Sequence, residues 1–216
     1  MAFGIHLKSR LLAVGIGVAL AGGCALMEPK VERYVAPPVG TTWEMSHTDT
    51  GSYGSGTTKL QSRRGQATWQ GAQVITFEGL AGGLTVFAQQ DGAWLGFFKG
   101  GTPIVTFDPP QLWQFPLEVG KSWAREQRMT IQAAKRTVTY YLTQKVEGYE
   151  DVTVPAGTFK AFKISSTTSL GDENLIWFSP ELGIFVKQSL RRTGQHAQGS
   201  GTREVQLLAY KRGGGY

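Results

Sequence analysis

Thr137-Val138-Thr139-Tyr140-Tyr141-Leu142-Thr143 puts Val138, Tyr140 and Leu142 at every second position, with Thr137, Thr139, Tyr141 and Thr143 between them. A strand turns successive side chains to opposite faces, so this spacing collects the apolar residues on one side; a helix would scatter them. The stretch therefore reads as a β-strand with one face on a core. Just upstream, Met129, Ile131 and Ala133 alternate with Arg128, Thr130 and Gln132. The same period returns at Trp43 and Met45 between Thr42, Glu44 and Ser46, and at Val205, Leu207 and Ala209. No amphipathic helix emerges between these stretches.

Turn signals separate the strands: Gly82-Gly83, Asp91-Gly92, Gly100-Gly101, Pro109-Pro110, Gly171-Asp172 and the run from Gly194 to Gly201. Several are short enough for hairpins, which pair neighbouring strands antiparallel. The expected fold is all-β, an antiparallel meander of ten to twelve strands that forms a barrel or a curved sandwich. Alternation does not distinguish the two, because both bury one face of each strand. The 29 glycines suit a sheet protein with many tight turns, and six tryptophans and eleven phenylalanines supply bulky core material.

Trp94-Leu95-Gly96-Phe97-Phe98 is apolar on both faces. It reads first as a central strand covered on both sides. The sharper reading makes Trp94, Phe97 and Phe98 an apolar ligand or partner surface. Two pairs of segments also hint at an internal repeat. Val39-Gly40-Thr41-Thr42-Trp43 resembles Val119-Gly120-Lys121-Ser122-Trp123, and Phe87 to Leu95 resembles Phe178 to Val186. A duplication would divide the domain into halves at 37–110 and 111–212.

The amino terminus has three zones. Residues 1–10 carry Lys8 and Arg10 and no acid, Leu11 to Ala21 is continuously apolar, and Gly22-Gly23-Cys24 closes the run with small residues. This is the order of a secretory signal peptide, and the apolar run is shorter than the roughly 20 residues of a membrane span. Leu20-Ala21-Gly22-Gly23-Cys24 resembles the lipobox of bacterial lipoproteins. That resemblance implies cleavage between Gly23 and Cys24, and covalent diacylglyceryl and N-acyl lipid on Cys24. Cys24 is the one cysteine, so an intramolecular disulfide is impossible. Residues 24–38 then form an acylated tether, 39–212 a single β-rich domain and 213–216 a loose tail. Ala25 in place of aspartate implies, by the same resemblance, an outer-membrane location facing the periplasm in a Gram-negative envelope.

The carboxy-terminal half has a second, more specific look. Val154-Pro155-Ala156-Gly157-Thr158-Phe159 is followed by Trp177-Phe178-Ser179-Pro180-Glu181-Leu182-Gly183-Ile184-Phe185-Val186-Lys187. This resembles a group of exported β-rich bacterial proteins of unknown function, over about residues 117–211. Physically these residues shape turns: Pro155 fixes its own φ, Gly157 permits a tight reversal, and Ser179 to Gly183 is a hairpin loop.

Catalytic chemistry is hard to find. Once the signal is removed, His47 and His196 are the remaining histidines, and neither has a partner at metal-ligand spacing. His47-Thr48-Asp49 reads as a surface turn, and His196 as part of an exposed loop. No serine occupies a nucleophile elbow, and no carboxylate pair is placed across a cleft by the sequence. Removing Lys8 and Arg10 from 22 basic residues leaves 20 against 16 acidic, a surplus of four that does not suggest a nucleic-acid surface. The basic doublets Arg63-Arg64, Lys135-Arg136 and Arg191-Arg192 read as solvated strand ends and turns.

The sequence thus points to a membrane-anchored envelope lipoprotein, a non-enzymatic binding or structural module without metal or other cofactor. Its expected partners are the membrane, through the lipid, and an envelope protein, a cell-wall component or a lipid. The alternative is a carrier or sensor of a lipid or other apolar ligand in a barrel cavity. A hydrolase would rest on His47 or His196 alone.

Overall fold

The computed structural model describes residues 29–214. The expected signal peptide, Gly23 and Cys24 lie outside the described residues. In chain order the strands are β1 (Lys30–Val31), β2 (Thr42–Gly51), β3 (Gly56–Trp69), β4 (Ala72–Gly79), β5 (Leu84–Ala88), β6 (Trp94–Lys99) and β7 (Thr102–Gln111). They continue with β8 (Leu117–Glu118), β9 (Ser122–Ile131), β10 (Arg136–Val154), β11 (Gly157–Thr168), β12 (Asp172–Ser179), β13 (Ile184–Arg192) and β14 (Gly201–Lys211).

Twelve of these strands close into one antiparallel barrel. β2 to β7 run as one meander and β9 to β14 as another, and β7–β9 and β14–β2 pairing completes the circuit. The alternative of a curved sandwich is therefore settled in favour of the barrel. β1 and β8 form a separate two-residue ribbon at one end. The alternating patterns do what their spacing requires: Tyr140 and Leu142 are buried while Tyr141, between them, is 63% exposed.

Some local expectations change. Pro109 and Pro110 do not make a turn; β7 runs through them to Gln111. Ala133 lies in the β9–β10 turn, since β9 ends at Ile131. Residues 30–38, read as tether, are packed on the barrel. Lys30 and Val31 pair with Glu118 and Leu117, and Val31 and Tyr34 join a buried cluster around Leu117, Trp123 and Phe178. At the other terminus Gly213 N–H donates to Thr41 Oγ1 at 2.9 Å. Two apolar side chains in an otherwise charged and proline-rich run are enough to tie the segment down.

The two stretches that look alike in sequence stand at equivalent places in the two six-stranded runs. Gly40 N–H donates to Arg64 O and Arg64 N–H to Thr41 O; Gly120 N–H donates to Val146 O and Val146 N–H to Lys121 O. These bonds lead into Trp43 at the start of β2 and Trp123 at the start of β9, both buried. Phe87 and Phe178 likewise end the fourth strand of each run, ahead of turns containing Gly92 and Gly183.

The runs differ in how far their second and third strands pair. β10 and β11 stay in register from Val154–Gly157 to Leu142–Thr168, with a bulge at Glu147 that reverses the facing of the outer hairpin. The hairpin tip returns to the barrel, where Ala156 N–H donates to Leu207 O at 3.1 Å. By contrast β3 meets β4 only from Ser62–Gly79 to Trp69–Ala72, and β2 only between Gly56 and Arg63. The ladder towards β4 ends where Leu80 N–H donates to Gln61 O. A notch in the wall results, beside the β4–β5 turn.

Candidate functional site

The barrel encloses a cavity of about 380 Å³. That lies within the range of roughly 300–1,000 Å³ usual for small-molecule sites. Its walls come from inward positions of many strands: Trp43 and Met45 on β2, Phe77 on β4, Val86 on β5, Ile176 and Phe178 on β12. Trp43 and Phe77 meet in a T-shaped contact with centroids 5.9 Å apart. Polar groups interrupt this lining at one level, where Gln144, Ser166 and Asn174 lie side by side on β10, β11 and β12. Gln144 Oε1 accepts from Trp123 Nε1 at 3.0 Å, while Asn174 Oδ1 is buried without a partner among the described residues.

One end of the cavity is capped by the amino-terminal strap. Tyr34 lines the cavity, its ring 6.4 Å from Phe115 and 6.2 Å from Phe178, with Trp113 4.8 Å from Phe178 beneath. Tyr34 Oη donates to Gly183 O at 3.0 Å. Burial pushes this hydroxyl well above its ordinary value, so it stays a donor. The two equivalent turns grip the strap from either side. Gly92 lies flat against the Tyr34 ring, where a Cβ would come within 2.7 Å of it, and at Gly183 a Cβ would stand 2.4 Å from Val35 O.

The notch supplies the mouth. Leu60, Ala81 and Leu84 line the cavity there and are exposed, with Leu80 beside them. Three exposed leucines at one opening make an apolar rim of the sort an apolar ligand crosses on entering.

The far end of the barrel is charged. Arg203 donates to both carboxylate oxygens of Asp49 at 2.7 Å, and Arg192 reaches Asp172 at 3.9 Å. Tyr53 lies between the two guanidiniums, 3.9 Å from Arg192 and 4.9 Å from Arg203. The Arg203 hydrogen bond holds the Asp49 carboxyl below the usual carboxylate range. His47 is not in a surface turn; it lies within β2 and lines the cavity. His196 is not an exposed loop residue: only 13% of its side chain is accessible, and its Nε2 stands 3.6 Å from Asp172.

Burial, and secondarily Arg203, lowers the His47 pKa from its ordinary 6.5, against a smaller opposing pull from Asp49. A depressed folded value means that the unfolded chain binds the proton first. The neutral imidazole thus supports the fold fully above pH 6.5, and that support fades as pH falls towards the lowered value. His47→Gln is expected to flatten the stability profile just below pH 6.5, as followed by urea unfolding at several pH values.

Of the three aromatic candidates on β6, Trp94 lines the cavity and the other two do not. Phe97 packs against Trp94 and Phe107, each with centroids 5.9 Å away. Phe98 turns to the opposite face and is fully buried with Val74, Phe87 and Trp69. β6 is thus covered on both sides, and its irregular pairing with β5 and β7 decides which ring reaches the cavity. Sequence reasoning missed Tyr34, Trp43, Phe77 and Trp113 as lining residues. Trp43 and Phe77 carry a visible signal, alternation within a strand; Tyr34 and Trp113 lie outside the barrel strands and carry none.

The basic doublets also divide. Arg63 is exposed and paired with Glu78 at 2.7 Å, but Arg64 is turned inward and only 9% accessible.

The DUF3108-like family matches residues 108–195. The match takes in most of the second six-stranded run, including the stretch from Pro155 to Lys187. No curated protein matches the chain. Among solved structures, a candidate lipoprotein from Parabacteroides distasonis is similar with a TM-score of 0.45 and 11% identity, over 84% of this chain and 99% of that one. A candidate exported protein with a YmcC-like fold from Bacteroides fragilis has a TM-score of 0.44 and 13% identity, over 84% and 100%. The hypothetical lipoprotein YmcC from Escherichia coli has a TM-score of 0.32 and 15% identity, over 81% and 85%.

Proposed function

We propose that this chain is an exported lipoprotein, held to an envelope membrane through lipid on Cys24, whose barrel binds an apolar ligand and does not transform it. The cavity carries the reading: an aromatic-lined space of about 380 Å³ with one capped end and one apolar mouth. That space moves the balance from a module that docks protein or cell wall to a carrier or sensor, since a solid barrel core would have no room for a ligand. The histidines give little support to a hydrolase. His47 is held near Arg203, with its neutral form favoured by burial and by that guanidinium, and His196 is turned to Asp172.

Native mass spectrometry of the exported, unlipidated domain beginning after Cys24 tests the proposal. A discrete stoichiometric adduct of lipid size is expected. Titration with the uncharged fluorophore N-phenyl-1-naphthylamine should give saturable binding of one molecule per chain, weakened at least fivefold in Val86→Phe, which adds a ring to the cavity wall. A clean apo mass together with no saturable dye binding would return the search to protein and cell-wall partners.

A further inference from the structure

Arg64 and Arg125 both have buried guanidinium nitrogens without a hydrogen-bond partner among the described residues, and Arg64 is the more deeply buried of them. It is nine-tenths buried, and its Nε and Nη1 have no hydrogen-bond partner among the described residues. No carboxylate among the described residues pairs with it, whereas its neighbour Arg63 has Glu78. Its side chain shares a face with the cavity wall: Arg64 stands directly across from Phe77 in the β3–β4 ladder and two residues after Ser62, and both line the cavity. The cap is close as well, since the Arg64 guanidinium and the Tyr34 phenol feel each other's field. Tyr34 cannot neutralise it, because its hydroxyl keeps its proton and donates to Gly183 O.

A guanidinium cannot shed its charge, so burial without an anion is costly, and replacing such a group by an apolar one of similar size often stabilises a protein. Arg64 is not itself part of the cavity lining, but it lies on the same face beside the lining residues Ser62, Phe77 and Tyr34, where an anion arriving with a ligand would offset the cost of its burial. We infer that Arg64 receives the anionic head of an amphiphile, a carboxylate or phosphate group on an apolar tail, seated deep in the cavity under the strap. The planar fork of arginine matches either head with two parallel hydrogen bonds. The tail then runs back along β3 towards Leu60 and Leu84 at the mouth. Leu60 lies four residues from Arg64, roughly 13 Å at about 3.3 Å per residue.

This inference rests on the cavity reading, and one pair of probes separates their failures. Cis-parinaric acid and its methyl ester have the same fluorescent tail and differ only in the charge of the head. The acid should bind wild type at least tenfold more tightly than the ester. Arg64→Met should bring that ratio close to one without loss of ester binding, and Arg64→Lys should keep part of the preference. Arg64→Met should also melt higher than wild type when empty, which shows that it folds. Dodecanoate and dodecyl phosphate as competitors distinguish the two heads, and uncharged dodecanol should displace at least tenfold less well than either. Equal binding of acid and ester by wild type, or an unchanged ratio in Arg64→Met, overturns the anion assignment and leaves the cavity reading standing. Binding of neither probe removes both.

Discussion

Replacing Phe162 by alanine is expected to cost about 3–5 kcal/mol, the range for deleting a fully buried ring. Phe162 is 0% exposed on β11, where it pairs with Tyr149 on one side and Phe178 on the other. Its ring lies 4.7 Å from that of Tyr149 and shares a cluster with Leu117, Trp123, Val146 and Ile164. That cluster receives Val31 and Tyr34 from the strap and Trp113 and Phe115 from the segment before β8. The cavity left by alanine would be walled by ladders fixed on both sides, which limits how far it can collapse. At about 2–4 °C per kcal/mol for a chain of this size, the melting temperature should drop by roughly 6–20 °C. Thermal unfolding followed by far-ultraviolet circular dichroism checks it. A drop of only two or three degrees would mean that the strap side of the cluster is not closed in solution.

The second large effect is expected at Gly183→Ala. Gly183 has φ +69°, a conformation costing a residue with a Cβ about 1–3 kcal/mol. The added carbon would also stand 2.4 Å from Val35 O and 2.9 Å from Pro37 Cδ, so the strap must move. Moving it breaks the Tyr34–Gly183 hydrogen bond and uncaps the cavity. Two readouts follow. Trypsin should cut after Arg33, an exposed residue just before Tyr34, many times faster than in wild type. The affinity for an uncharged apolar probe should fall as water enters the capped end. Unchanged cleavage would show that the strap is held by β1 and Phe115 without help from this turn.

How much of this was legible in the chain depends on the kind of residue. Tyr140, Tyr141 and Leu142 announced their facing, because a strand's period is two and one face of each barrel strand is buried. The choice of barrel over sandwich was not legible. It is made by two pairings, β7 with β9 and β14 with β2, that join residues far apart in sequence. Pro109 and Pro110 were misread because proline is a turn former in most settings, yet it is tolerated in a strand where its missing N–H is not needed. β7 meets β9 only from Val105 to Asp108, so both prolines fall beyond that ladder. Of the three β6 aromatics read as an apolar surface, Trp94 lines the cavity, while Phe97 and Phe98 were grouped with it because bulges in β6 pairing cannot be read from composition. Arg64 was the clearest miss. A basic doublet on the surface is ordinary, and only the register of β3 reveals that one member turns inward.

The notch has a consequence for how the protein behaves in a crowd. A closed barrel normally leaves no strand with unpaired backbone, which is how such folds avoid adding strands from neighbouring chains. Here Gly56 to Leu60 pair with β2 alone, so among the described residues one side of that segment keeps free amide and carbonyl groups. Thr57 and Thr58 are β-branched and Leu60 is apolar, a composition that would favour growth by strand addition. Lys59 stands in the middle, 70% of its side chain accessible and 3.9 Å from Glu44. A charge at that position makes the approach of a second copy cost the burial of an ammonium, and the exposed length is only five residues. The opening proposed to admit a ligand is therefore also the place where this barrel is guarded against polymerising.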